Sequence, residues 1–324
     1  MNKRRKVLFA LGAGACGISL TTVAQTQKVH RVGILYPGFK SYPPLQAFVQ
    51  ELRTLGYIEG PNFSIVNRIA EGNLERLPAF AAELVAQKVD VIFASSTNAV
   101  QAARQVTSLI PIVFSVVSDP VGSGFVTSLG RPSGNITGTT SINRELSAKR
   151  LQLLKEIFPG MSRVAVLITD EPQVPPQLEQ VKHAAKRLGV NIMTTQIQRS
   201  DDFESVQKLL RTWRADSLYL IDSTTNNLNR KLLAEFAAQY RLPAIYGQSQ
   251  YAEDGGLISY GANWKELYRR AAHFVDKFLK GAKPADLPVE QPTKFDLVVN
   301  VNAANALGIK IPQSILLRAD KVIE

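Results

Sequence analysis

Short runs of β-branched and apolar residues alternate with longer amphipathic stretches along the chain after Gln27. The short runs predict strands, and the longer stretches, with apolar residues three or four positions apart, predict helices. The predicted strands are 29–37, 63–70, 89–95, 111–116, 163–170, 191–198, 217–222 and 244–248, and the predicted helices are 43–57, 74–88, 97–107, 176–189, 202–214 and 226–240. Strands alternating with helices of this length indicate parallel sheets that helices cover on both faces.

The alternation is interrupted by GRPSGNITGTTS at 130–141 and then starts again. We therefore expect an α/β protein with two doubly wound parallel-sheet lobes joined by a hinge. The C-terminal part adds a strand at 255–263, an amphipathic helix at 264–281, and a strand with a short helix within 295–312, whose lobes periodicity alone does not decide. The expected division gives the N-terminal lobe residues 29–141 plus about 262–292, and the C-terminal lobe residues 142–261 plus about 293–324.

Polar residues follow several predicted strands at the points where helices begin: Ser95-Ser96-Thr97, Ser118-Asp119-Pro120 and Asp222-Ser223-Thr224. The plain interpretation is helix capping, with Pro120 at a first helical position. The functional interpretation is a ligand cradle, because the unpaired amides of a helix N-terminus can hold an anion. Ligands bind at this edge of doubly wound sheets, and two such edges facing each other across a hinge form a closing trap.

Aromatic residues lie near the same strand ends, namely Tyr36, Phe39 and Tyr42 in the first half and Tyr246 and Tyr251 in the second. A flat, apolar ligand with one charged end suits such a cleft. Most of the other aromatic residues are expected in the core.

The composition, with 45% hydrophobic and 20% charged residues, is typical of a soluble globular protein. The formal net charge is +11, but four positive charges lie at Lys3, Arg4, Arg5 and Lys6. The remaining basic residues are mixed with acidic ones, so no stripe for nucleic acid is predicted.

The N-terminus has the three parts of an export signal: the basic residues just named, an apolar stretch from Val7 to about Leu20, and small residues before a cleavage site near Ala24. Residues 1–24 are therefore predicted to be a signal peptide and the mature protein to be periplasmic. The alternatives are a membrane anchor, for which the apolar stretch is short, and a lipid anchor at Cys16, the only cysteine.

Signs of catalysis are few. The three histidines lie outside nucleophile motifs, and the chain has no P-loop, GxSxG or HExxH sequence and no paired cysteines. An exported α/β enzyme would need a constellation among Asp119, Asp170, Asp222 and Glu253. We expect no catalytic residue, no metal and no cofactor.

Several segments match a known family in order and spacing: VGILYPG, GYIEGPN, DVIFASSTNAVQAA, IPIVFSVVSDPVGSGFVTSLGRPSGNITGTT and KPADLPVEQPTKFDLVVNVNAANALGIKIPQSIL. Over about residues 29–320 the chain resembles the ABC-transporter substrate-binding proteins of the tryptophan and tyrosine type. The resemblance implies a type I periplasmic-binding fold, a hinge of three crossing strands, no catalysis, and delivery of a ligand to an ABC permease with its ATPase.

The resemblance also implies that Ser95 to Thr97, Val117 to Asp119, Thr139-Thr140 and Asp222 line the cleft. With the residues chosen from their own positions, the expected ligand-binding set is Tyr36, Phe39, Ser95, Ser96, Thr97, Val117, Asp119, Thr139, Thr140, Asp170, Asp222, Tyr246 and Gln248. The chain departs from amino-acid-binding members at Gln248-Ser249, where those tend to have a Ser-Asp pair. A neutral residue there weakens the case for an amino-acid ligand and makes an aromatic acid or other small organic anion credible.

The sequence therefore predicts an extracytoplasmic solute-binding protein, a monomer, that traps an aromatic amino acid or an organic acid. Ser95 to Thr97 would take the anionic end, aromatic residues the body, and Asp222 with Gln248 would complete the clamp. Two alternatives remain: a sensor component of the same fold read by a receptor, and an exported enzyme.

Overall fold

The computed structural model describes residues 29–324 and has two α/β lobes, each built around its own sheet. The predicted signal peptide and Cys16 lie outside the described residues. The predicted fold class is confirmed, with one difference in strand direction given below. No helix within residues 29–324 is long and apolar enough to cross a membrane.

The first sheet has five parallel strands in the order β2-β1-β3-β4-β5. Its strands are β1 His30–Tyr36, β2 Phe63–Ile69, β3 Val91–Ser95, β4 Ile112–Val117 and β5 Ile136–Thr140, and its helices are α1 Pro43–Thr54, α2 Leu77–Ala86 and α3 Thr97–Val106. Strand β3 is buried throughout, and its residues alternate between two cores. Val91 and Phe93 pack towards α1, whereas Ile92 and Ala94 pack towards α2 and α3.

The second sheet has seven strands in the order β12-β11-β10-β9-β8-β6-β7. Its strands are β6 Arg163–Leu167, β7 Asn191–Thr195, β8 Ser217–Leu220, β9 Ala244–Tyr246, β10 Ile258–Ala262, β11 Phe295–Asn300 and β12 Lys321–Ile323. The helices of this half of the chain are α4 Asn143–Ile157, α5 Val174–Leu188, α6 Phe203–Trp213, α7 Thr224–Leu228, α8 Arg230–Gln239, α9 Ser249–Glu253, α10 Trp264–Leu279, α11 Val301–Leu307 and α12 Gln313–Leu316.

Three crossing segments, at 140–143, 262–264 and 290–295, connect the lobes. The Thr140 N–H donates to the Glu290 carbonyl at 3.0 Å, and the Asn263 N–H donates to the Lys294 carbonyl at 3.0 Å. Between the last two crossings, α10 packs on α1 in the core of the first lobe. The chain then returns beside the place where it left, so β11 pairs antiparallel with β10. This pair is where the second sheet differs from the expected parallel arrangement.

Other local predictions need correction. Helix α4 was not predicted, because polar Asn143, Ser147 and Arg150 are buried on it and obscure its apolar periodicity. The segment from Asp119 does not form the expected helix; the Asp119 carboxylate accepts from the Gly122 N–H at 2.7 Å and closes a turn. The predicted helix 226–240 is two helices, α7 and α8, that meet at Asn229.

Non-glycine residues with left-handed backbone lie at the ends of the first sheet that face the second lobe. Ser96 has φ 97°, Val116 has φ 56° and Ile142 has φ 46°. Such conformations cost roughly 1–3 kcal/mol each and are retained only where the surroundings fix them. At Val116 the register of β4 against β5 shifts between Ser115 and Val117, so a bulge turns the end of this strand.

Gly138 in β5 allows a close approach to the neighbouring strand β4 near the crossing segments. A Cβ at this position would lie 2.0 Å from the Phe114 carbonyl oxygen. We expect Gly138→Ala to lower the free energy of unfolding by roughly 2–3 kcal/mol, measured by urea unfolding. Gly130→Ala is the control, since nothing lies within 4 Å of its added Cβ. Equal stability of the two variants would contradict this account.

Candidate ligand-binding site

A cavity of about 140 Å³ lies between the lobes, at the carboxyl ends of strands from both sheets. The first lobe contributes the loop after β1, the start of α3 and residues of α10. The second lobe contributes Gln173, Asp222, Gln248 and the residues around α7. This is the position at which doubly wound sheets bind ligands.

The first-lobe wall is aromatic. The Tyr36 and Tyr42 rings stack with centroids 5.8 Å apart, and Tyr268 meets Tyr42 edge-on at 6.2 Å. The Tyr268 hydroxyl is hydrogen-bonded to the Ser95 hydroxyl, and Trp264 completes this side. The wall can therefore cover a planar ring and present hydroxyl groups to a polar substituent.

Burial raises the pKa of the hydroxyl groups of Tyr36, Tyr42 and Tyr268 above the usual value near 10. These phenols are therefore neutral at physiological pH, and each keeps a proton to donate.

Helix α3 points its N-terminus at the cavity. Ser96 is its N-cap, and the Ser96 hydroxyl accepts from the Ala99 N–H at 3.3 Å. The preceding amides of the helix, at Thr97 and Asn98, have no partner inside it, and Ser95, Ser96 and Thr97 all line the cavity. This end of the cavity can hold an anionic group.

The corresponding helix of the second lobe, α7, is satisfied by the protein itself. The buried Glu171 carboxylate accepts from the Thr224 N–H at 3.0 Å and from the Thr225 N–H at 2.8 Å. Its oxygens also accept from Gln173 Nε2 at 2.6 Å and from the Thr169 hydroxyl. A ligand anion therefore has no free amide pair at this helix.

Three residues that line the cavity from the second lobe each have a buried acceptor oxygen without a hydrogen bond from the described residues: Gln173 Oε1, Asp222 Oδ2 and Asn227 Oδ1. The other Asp222 oxygen accepts from Asn227 Nδ2 at 3.1 Å. Buried acceptors without partners are costly, so this group is suited to a ligand that brings several N–H donors.

The second-lobe wall also contains charge. Burial raises the pKa of Asp222, while the Arg150 guanidinium, Asn227 and Gln248 act in the opposite direction. Arg230 lines the cavity and forms an ion pair with Asp254, Nε to Oδ2 at 2.8 Å.

Two hydrogen bonds join the lobes across the cavity. The Tyr42 hydroxyl donates to Gln248 Oε1 at 3.3 Å, and the Thr224 hydroxyl donates to Asn98 Oδ1 at 2.9 Å. Both pairs connect elements of different sheets, so the structure is a closed arrangement of the lobes.

Seven residues predicted from the sequence line this cavity: Tyr36, Phe39, Ser95, Ser96, Thr97, Asp222 and Gln248. Three others lie beneath it at the crossing segments. Val117 is buried in the core, because the bulge brings Val116 to the lining instead. The Thr139 hydroxyl pairs with that of Ser115, and the Thr140 hydroxyl donates to the Val117 carbonyl.

The remaining three predicted residues have other surroundings. Asp119 forms an ion pair with Arg144 at 3.1 Å. Asp170 is exposed and accepts from Gln196. Tyr246 is fully buried and stacks on Tyr251 in the second-lobe core. The structure places none of the three in the lining.

Sequence reasoning missed several lining residues, namely Gln173, Asn227, Arg230, Trp264 and Tyr268. Asn227 and Arg230 follow the Asp222 segment, so the strand-end rule could have found them. Trp264 and Tyr268 lie on α10, whose entry into the first lobe no local pattern shows.

The comparison with protein families matches residues 42–323 to the model described as ABC transporter substrate binding protein. The chain belongs to the ABC transporter substrate-binding protein family. This family binds small molecules for ABC permeases and acts outside the cytoplasm. Among curated proteins, the tyrosine-binding protein of Clostridioides difficile (strain R20291) is 26% identical, covering 96% of this chain and 94% of its own length.

Two solved structures are similar to this chain over most of its length. An ABC domain from Streptococcus pneumonia in complex with L-Trp matches with a TM-score of 0.84, 24% identity, and coverage of 91% of this chain and 100% of its own. The ligand-free, open structure of a substrate-binding protein with adhesive properties from Clostridium difficile matches with a TM-score of 0.66 and 27% identity. The match covers 91% of this chain and 99% of the other.

Seven tyrosines have a pKa raised mainly by burial: Tyr36, Tyr42, Tyr57, Tyr219, Tyr246, Tyr251 and Tyr268. Unfolded phenols ionise near pH 10, so the unfolded chain loses these protons first and stability falls as pH rises above about 10. Urea unfolding at pH 9 and 11, with phenolate absorbance followed in parallel, should show this loss. A Tyr36→Phe/Tyr42→Phe/Tyr268→Phe variant should lose less stability than wild type between pH 9 and pH 11. An equal loss in the two proteins would contradict the link between these buried phenols and the pH dependence.

Proposed function

We propose that this substrate-binding protein traps an aromatic α-amino acid between its lobes. The observation that carries the proposal is the set of unpartnered acceptors at Gln173, Asp222 and Asn227 in a cavity whose opposite side is the N-terminus of α3. An α-amino acid has a donor group and an anionic group separated by one carbon, and the two sides of the cavity match these groups.

The ammonium group would bind the second-lobe acceptors. It has three N–H donors and no acceptor, and the acceptors number three, one of them on a carboxylate. In this assignment Asp222 binds the ammonium group. Amino-acid-binding members of the family tend to have a carboxylate for this purpose at the position of Gln248-Ser249. Gln248 then does not argue against an amino acid, because the negative charge comes from a different strand end.

The carboxylate would bind Ser95, Ser96 and Thr97 at the start of α3, where hydroxyl groups and free amides combine with the helix dipole. The side chain would lie along Tyr36, Tyr42, Tyr268 and Trp264. The 26% identity with a tyrosine-binding protein supports an aromatic side chain.

A second candidate ligand is an aromatic acid without an ammonium group. It is favoured by donors in the second lobe, namely the Arg230 guanidinium and the Gln248 amide, whose Nε2 has no partner among the described residues. These donors could bind a carboxylate in place of the α3 terminus.

Binding would close two bodies, the N-terminal lobe of residues 29–141 plus about 262–292 and the C-terminal lobe of 142–261 plus about 293–324. The interlobe bonds of Tyr42 and Thr224 form only on closure. We further propose an exported monomer, after removal of residues 1–24, that presents the closed form to an ABC permease. A receptor that reads the same closure would make it a sensor component instead.

The ligand is tested by isothermal calorimetry on the chain from about Gln25, unfolded and refolded to remove carried-over ligand. L-tyrosine and L-tryptophan should bind, while the matching aromatic acids and amines, each lacking one charged group, should bind at least about tenfold more weakly. Asp222→Asn should weaken amino-acid binding roughly 10- to 100-fold. Asp170→Asn is the matched control and should bind normally. Tighter binding of the acids would select the second candidate.

Changing Ser95, Ser96 and Thr97 together to alanine should weaken L-tyrosine or L-tryptophan binding about tenfold or more, because the carboxylate loses charge-assisted hydrogen bonds. The fold should be retained, as judged by circular dichroism. Thr107→Ala, after the opposite end of α3, should leave the affinity unchanged. Unchanged affinity in the triple variant would overturn the assignment of this end of the cavity.

A further inference from the structure

A fully buried guanidinium lies behind the cavity wall. Arg150, on α4, is 0% exposed and is not part of the lining. Its Nε donates to the Tyr260 carbonyl at 2.7 Å, and its Nη2 donates to Asn143 Oδ1 at 2.5 Å. Nη1 has no acceptor among the described residues. Two hydrogen bonds therefore hold the side chain in place, and they join it to residues beside two of the crossing segments.

The nearest feature on the cavity side is Asp222. Both side chains approach the α-carbon of Gly247: a Cβ there would lie 2.6 Å from Asp222 Oδ2 and 3.3 Å from Arg150 Nη2. The two charged groups are therefore within about 6 Å of each other, a distance at which attraction in a protein interior is substantial. The absence of a side chain at Gly247 permits this approach.

Among residues 29–324, neither Arg150 nor Asp222 forms an ion pair within 4.0 Å with another charged group. Glu171 acts on Asp222 by repulsion, and Arg230, which lines the same cavity, is paired with Asp254. The surrounding phenols of Tyr42, Tyr219 and Tyr251 stay protonated because burial raises their pKa. Burial alone would favour a neutral Asp222, whereas an arginine keeps its charge inside a protein.

We propose that Arg150 is a positioning residue that keeps Asp222 an anion, and in place, without touching the ligand. The proposal deepens the proposed function and rests on it, since an ammonium group binds a carboxylate but not a carboxylic acid at this position. The hydrogen bonds of Arg150 to Asn143 and to the Tyr260 carbonyl also fix the position of its charge relative to the crossing segments.

The first measurement is a ¹³C NMR titration of the Asp222 carboxyl in the ligand-free protein, with the signal assigned by its absence in Asp222→Asn. Wild type should show an ionised Asp222 at pH 7. Arg150→Met should shift the carboxyl titration upward by a pH unit or more, and Arg150→Lys should restore most of the shift. Lys155→Met, on the same helix but away from the cavity, should leave the titration unchanged.

The second measurement is the affinity for L-tryptophan and L-tyrosine between pH 6 and 8. The affinity of wild type should change less than about twofold over this range. The affinity of Arg150→Met should fall about tenfold towards pH 6, since the anionic fraction of a carboxyl falls tenfold for each pH unit below its pKa. In an Asp222→Asn background, Arg150→Met should add no pH dependence.

The two readouts separate the proposals. A wild type that binds no aromatic amino acid overturns the proposed function, and the titration of Asp222 still tests Arg150. An unchanged titration in Arg150→Met, or a protonated Asp222 at pH 7 in wild type, overturns the role of Arg150. If Arg150→Met does not fold, the titration of Arg150→Lys against wild type is the comparison, and a protonated Asp222 at pH 7 in wild type still overturns the role of Arg150.

Discussion

A polar group buried where two lobes meet must find a partner, and this requirement governs both the connection between the lobes and the site. At the crossing segments the partners are backbone groups, such as the Thr140 N–H with the Glu290 carbonyl. At the cavity, Asp222, Gln173 and Asn227 keep acceptors that the described part of the chain does not satisfy. The protein thus has satisfied polar groups where the lobes are joined and unsatisfied ones where a ligand can complete them.

The geometry of the first-lobe side depends on backbone conformations that side chains do not favour. Ser96, Val116 and Ile142 have positive φ at the ends of neighbouring strands or at the start of the next helix. Hydrogen bonds connect the segments that contain them, with the Ser96 N–H donating to the Ser115 carbonyl and the Ser141 N–H to the Val117 carbonyl. The strain is stored next to the cavity, as is common at ligand sites.

The alternation of apolar runs was sufficient to predict two α/β lobes and the placement of Ser95 to Thr97 at a cavity, because both follow from local periodicity and from the edge at which parallel strands end. Helix α4 was missed because Ser147 and Arg150 are polar but buried. A prediction from apolar periodicity places polar residues on the exposed face of a helix. The antiparallel β11, Trp264 and Tyr268 could not be predicted, because they depend on where a distant segment returns. Arg150 acts through partners far along the chain, such as the Tyr260 carbonyl.

Glu171 makes the two halves of a duplicated architecture unequal. The N-terminus of α3 is available to a carboxylate, while that of α7 already holds one from the protein. An amino acid bound as we propose would therefore direct its carboxylate to α3 and its ammonium group to the second lobe. With its ring directed to the tyrosine wall, such a ligand would have three substituents of one carbon atom at three separate places, and its mirror image would not match all three. The Glu171 carboxylate at α7 would thereby make the cavity selective for one enantiomer of such a ligand.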